Sequence, residues 1–230
     1  MRELDPTRIP ALMAALEETW EGQPDLTLPA FLGMLHARGL TWASSEEELV
    51  ALLRELREER PSRIAPPLDQ PVLLTTTTAP RHVITLTRKT AVVRSVEDPQ
   101  RPPAMWEHSG FRPTGPGRPL VVADAEGVEH RLGVVESVRP FIAPVDPPVR
   151  LRQEELGGAR WLVLFDAPAR ALIGPRIRLW ESEGRASRVE TFAWVGVDKL
   201  APGEQMHITP AGGGEPILLG RVERVLLVEA

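Results

Sequence analysis

The side chains best suited to chemistry stand close together in one stretch, MWEHSGFRPTGPGRPLVV, from Met105 to Val122. It gathers Trp106, His108, Phe111, Arg112 and Arg118, and His108-Ser109 is the only place where a serine adjoins a histidine in sequence. A hydrolytic nucleophile needs a positioned base beside it. Sequence neighbours usually point apart, and no G-x-S-x-G is present, so the pair does not make a dyad. Arginines interleaved with aromatics on a Pro- and Gly-rich segment suit binding better, because loops on a rigid β scaffold carry function. Trp106, His108, Phe111, Arg112 and Arg118 are therefore the candidate binding loop. The competing reading makes Trp106 and Phe111 core residues and the arginines solvated.

Other chemistries find little support. The chain has no cysteine, which removes disulfides, thiol catalysis and thiolate metal sites. His36, His82, His108, His130 and His207 are scattered singly, whereas metal sites want ligands at close helical or hairpin spacing. TGPGRP at Thr114 has a proline between its glycines, and AGGGEP at Ala211 is flanked by strands. Neither has the strand-to-helix setting of a phosphate loop, and both read as turns. No catalytic residue, metal or cofactor is implied. Only Lys89 and Lys199 are lysines, and Asn and Tyr are absent. That is the composition of a GC-rich genome, so an arginine here is weak evidence for an anion clamp.

The elements that must carry these residues fall into three segments. Over residues 1–62, Leu12, Met13, Leu16 and Trp20, then Leu28, Phe31, Leu32 and Leu35, then Leu49, Leu52, Leu53 and Leu56 recur at helical spacing. Thr27 is an N-cap, Gly39 a stop, and Ser45-x-x-Glu48 a capping box. Three helices are predicted, the last ended by Pro61. The charged face of the third reads as salt-laced and solvated. Twelve acids face six arginines here, a balance of −6, against near neutrality in the rest of a chain of net charge −5. An acidic first segment argues against non-specific binding to a nucleic-acid backbone.

Trp20, Pro24, Asp25, Leu28, Phe31, Leu32 and Leu35, in TWEGQPDLTLPAFLGML, resemble the small bacterial YihD-like family over about residues 7–58. That resemblance implies a helical fold and no known activity.

After Pro61, β-branched residues and turn signals take over. AEGVEHRLGVVESV at Ala125 and AGGGEPILLGRVERV at Ala211 share their order of Ala, Gly, Glu, Leu-Gly and Val-Glu at an offset of 86 residues. Pro116-Gly117 and Pro202-Gly203 keep that offset, and Ala79-Pro80 matches Ala167-Pro168 at 88. The proline connectors at Ile64 and Ile142 also correspond. The expectation is an α+β chain: a three-helix domain over 1–62, then two copies of a small β-barrel or sandwich unit over 63–141 and 142–230. The second copy carries an extra RLRQEELGGA that suits a short helical turn. A site shared by the copies would want paired acids. Glu129 and Glu215, and Glu136 and Glu223, do correspond, but as turn-proximal surface residues.

MRELDPTRIP carries acids and prolines where a signal peptide would be cationic then apolar, and no apolar run approaches about 20 residues. A cytoplasmic protein without membrane contact is expected. The functional expectation is a non-catalytic interaction or adaptor protein that binds another protein. A nucleic-acid- or ribosome-associated β-barrel protein is the alternative. The sequence gives no oligomeric state.

Overall fold

The computed structural model describes residues 5–76, 81–144, 146–183 and 186–230, with the backbone alone at 183, 186 and 187. Ala79 and Pro80, used above to align the β segments, lie outside it. The chain is α+β. Its contacts divide it into two compact units, Met1–Ala91 with Trp106–Pro140, and Val92–Met105 with Phe141–Ala230. Among the described residues no helix is long and apolar enough to cross a membrane.

The helices are α1 (Arg8–Glu21), α2 (Leu28–Ala37) and α3 (Glu46–Glu59). Their ends follow the local signals. Thr27 Oγ1 accepts the Ala30 N–H at 3.4 Å. Gly39, at φ +102°, takes the left-handed conformation that stops α2. In the Ser45–Glu48 capping box, the Glu48 N–H reaches Ser45 Oγ at 3.2 Å and the Ser45 N–H reaches Glu48 Oε2 at 2.7 Å. Phe31, Leu35, Leu53 and Leu56 form the centre of the helical core, with Ala15, Leu16, Trp20, Leu49 and Leu52 against it.

Three expected core positions are displaced. Met13, Leu28 and Leu32 are 57%, 47% and 51% exposed. Short helices bury one stripe each, and in α1 the inner stripe includes Thr19, fully buried because its hydroxyl donates to the Ala15 carbonyl at 2.7 Å. The Trp20 indole donates to Leu26 O at 2.7 Å and stacks on Phe31 at 6.1 Å, closing the α1–α2 turn. Gly22 is required by proximity: a Cβ there would lie 2.1 Å from the Arg60 carbonyl oxygen. The charges of α3 pair across helices, Arg57 with Glu18 and Glu59 with Arg38, more than along its own face.

A closed barrel follows, in the order β1 (Val72–Thr76), β2 (His82–Leu86), β3 (Thr90–Ser95), β4 (Ala104–Phe111), β5 (Pro119–Asp124) and β6 (Glu129–Pro140). β1 and β6 close it antiparallel, and Leu74 opposes both Ile84 and Val138, all three fully buried. The outer half of the β3–β4 hairpin belongs to the second unit.

That unit adds β7 (Arg150–Arg152), a single 3-10 turn at Gln153–Glu155, β8 (Arg160–Phe165), β9 (Ala169–Ile173), β10 (Ile177–Glu183), β11 (Ala186–Phe192), β12 (Trp194–Asp198), β13 (Gln205–Pro210) and β14 (Ile217–Glu229). They form one sheet in the order β11-β10-β9-β8-β14-β13-β12-β7. The inner faces pack Trp161, Val163, Phe165, Ile173, Ile177, Trp194 and Ile208 into the main core. A smaller core of Val92, Leu162 and Val228 lies on the outer face, with Met105, Leu164, Leu172 and Leu226 beside it. Arg94 reinforces it through an ion pair with Glu229 at 3.0 Å.

Candidate functional site

The stretch from Met105 to Val122 is a strand pair with a turn, and this corrects its reading as a loop. β4 runs through Phe111 and pairs with β5 at His108 with Asp124, Gly110 with Ala123 and Phe111 with Val122. The prolines and glycines that suggest a loop concentrate from Pro113 to Pro119. Before them, residues 104–111 hold a single glycine and no proline, and nothing there interrupts a ladder.

Of the five expected binding residues, the structure brings His108 and Phe111 together, their rings edge to face at 6.4 Å. Phe111 is 6% exposed and packs inward. Trp106 is half-buried, 5.2 Å from the His130 ring, and its indole nitrogen is buried without an acceptor among the described residues. His108 places Nε2 3.0 Å from the Thr87 carbonyl oxygen. A carbonyl only accepts, so that nitrogen carries a proton, and Nδ1 is buried with no partner among the described residues. Arg112 grips Glu129 through contacts of 2.8 to 3.0 Å, and Arg118 is exposed at the turn. His108 and Phe111 line a cleft of about 380 Å³, whose rim carries Arg88 and Lys89.

Ser109 turns away from its sequence neighbour. Its hydroxyl donates to the Asp124 carbonyl at 2.8 Å. The Asp124 carboxylate meets His130 Nε2 at 2.8 Å and accepts the Glu126 and Val128 N–H groups at 3.0 and 2.9 Å. The bond to His130, then the backbone amides, hold the Asp124 carboxyl below its ordinary value. This is a turn lock: the carboxylate fixes the β5–β6 hairpin. Among the described residues no group of three or more His, Asp or Glu could hold a metal ion. Of the corresponding glutamates, Glu129 holds Arg112 and Glu136 holds Arg81 at 2.9 Å. Trp194, in the strand that follows β11, is fully buried and donates to Gly174 O at 2.8 Å.

A second surface is one that sequence reasoning passed over. Trp42, in the α2–α3 connection, is 105% exposed. Leu28 and Leu32, one turn apart, form an apolar strip on α2, and Ile9 and Met13 do the same on α1. Between α1 and α3 runs a groove of about 480 Å³, floored by Ala11, Leu12, Ala15, Val50 and Ala51. Arg8 and Glu46 cross its rim at 2.9 Å. The available signal was Trp42 itself, a tryptophan set in the polar run TWASSEEE where no stripe claims it.

No family model matches the chain, and no curated protein matches it. Among solved structures it aligns with the DNA polymerase III β chain of Streptococcus pneumoniae TIGR4 at 8% identity and a TM-score of 0.13. That alignment covers 67% of this chain and 57% of that one, so the chain spans little more than half the length of its match. A superposition of that quality assigns neither fold nor function.

Proposed function

We propose that the chain is a non-catalytic interaction protein whose acidic helical head docks a partner protein. The observation that carries this reading is Trp42, a full-sized aromatic with none of its surface buried, in a head that also exposes Leu28 and Leu32. Leaving such a side chain in water forgoes roughly 1.5–3 kcal/mol of burial. Tryptophan is also the residue type most enriched among the anchors of protein interfaces. The balance of −6 over residues 1–62 defines the partner's chemistry, an apolar patch with a basic rim.

The β body is read as two copies of one unit, over 63–141 and 142–230. Several parallels support this. In each, the last strand lies between the last but one and an early strand: β6 between β5 and β1, β14 between β13 and β8, the strand that follows the short β7. Gly117 donates to Val135 O and Val135 to Arg118 O, while Gly203 donates to Val222 O and Val222 to Glu204 O. Both glycines have positive φ, +77° and +86°. The helical segment 1–62 is then the third module, consistent with its YihD-like resemblance.

The test is capture from host lysate by the full chain, with and without nuclease, beside Trp42→Ser, Leu32→Ser and the pair Arg112→Ala with Arg118→Ala. One protein should survive nuclease, be lost with Trp42→Ser or Leu32→Ser at unchanged helicity, and be released by salt. Capture indifferent to both head variants sinks the reading. Nuclease-sensitive capture that is lost with the arginine pair moves the function to the barrel, where Arg88, Lys89, Arg112 and Arg118 are exposed.

A further inference from the structure

The second unit holds a separate cleft of about 520 Å³, within the range of small-molecule sites. Its floor is the outer face of the sheet. Ala171 and Ile173 of β9 and Ile177 and Leu179 of β10 turn into the main core, so alternation places Arg170 and Trp180 on the opposite face. There Leu164 opposes Arg170 and Arg170 opposes Trp180, making one cross-strand row of adjacent side chains. Pro102 and Pro103 form the opposite wall, and an Arg170 guanidinium nitrogen donates to the Pro103 carbonyl, fixing the arginine in place.

The polar groups of this cleft are mostly donors. Trp180 is 4% exposed, yet its indole N–H has no acceptor among the described residues. A buried donor left unmet is costly, and a ligand acceptor that reaches it relieves that cost. Arg178 covers the Trp180 ring at 5.7 Å, adding positive charge to the same face. Arg101 and Ser182 complete the donor side. Glu223, the one carboxylate among the described lining residues, stands against Arg101 and Arg170. With the Arg178 charge beside them the cleft is net positive, which favours an anionic ligand.

We propose that this cleft binds a monocarboxylate with a compact apolar body. Arg170 and the Trp180 indole N–H take the carboxylate, since a guanidinium presents parallel donors to one. Leu164, Pro102 and Pro103 take the body. The site uses no residue of the helical head and stands or falls independently of it.

The test is titration of the isotope-labelled full chain with hydrocinnamate, followed at the indole N–H resonances of its six tryptophans. Trp180→Phe identifies the resonance concerned. That resonance should move saturably with half-saturation near about 1 mM, the strength expected of so small a ligand. The neutral analogue hydrocinnamide should bind about tenfold more weakly or worse, and so should hydrocinnamate to Arg170→Gln with the remaining indole resonances in place. A Trp180 resonance unmoved at about 20 mM overturns the proposal. So does equal affinity for the amide. Displacement of the same resonance by inorganic phosphate overturns the monocarboxylate assignment.

Discussion

Arg94 and Glu229 stand 135 residues apart in sequence and meet at 3.0 Å, with side chains 12% and 27% exposed. Burial pushes the Arg94 guanidinium below its ordinary value, and the Glu229 carboxylate works against that shift. Arg94 also donates to the Val228 carbonyl at 3.3 Å. Glu229→Leu therefore leaves a buried cation with one neutral acceptor. Breaking a fully buried pair costs 3–5 kcal/mol, and the partial exposure of Glu229 brings the expected loss to about 2 kcal/mol. In a unit of roughly 100 residues this lowers the melting temperature by about 10 °C. The cavity-free alternative, Arg94→Met with Glu229→Leu, restores most of the loss, because the charge is removed along with its partner and the side chains join Val92 and Val228. Calorimetry of the wild type, the single variant and the double variant decides it. A single variant within about 0.5 kcal/mol of wild type refutes the burial argument. A double variant as unstable as the single one refutes the role of the stranded charge.

Two further outcomes follow from the first unit. Gly22→Ala puts a Cβ 2.1 Å from the Arg60 carbonyl oxygen, which is backbone and cannot swing aside. The ends of α1 and α3 must part, and the head should lose about 2 kcal/mol or more, seen as an earlier loss of helical circular dichroism. Asp124, held below its ordinary 3.8, contributes stability that is complete above that value and is lost as pH falls through its lower folded one. The difference between wild type and Asp124→Asn in denaturant midpoint should thus be constant near neutrality and shrink under acid. A difference that grows on acidification contradicts the turn lock.

Much of the architecture was legible because it is encoded locally. A capping box needs residues three apart, and a Pro-Gly turn needs two neighbours, so Ser45 with Glu48, Gly39, Gly117 and Gly203 could be read from short windows. The extra RLRQEELGGA likewise became a short strand and one 3-10 turn. The candidate stretch was read less well. Its composition pointed to a loop, whereas β4 exists because strands on either side supply its ladder partners.

The tryptophans show where local information ends. Trp194 is fully buried, Trp180 nearly so, Trp106 half-buried and Trp42 wholly exposed, although all four are one residue type. By itself the sequence determined that there are helices and then strands, where many of them start and stop, and which turns recur. Only the tertiary structure decided which apolar faces find partners, that residues 92–105 lie with the second unit, and that Arg94 meets Glu229. The reason is physical: caps and periodicities act within a few residues, whereas burial depends on contacts between positions tens to more than a hundred apart.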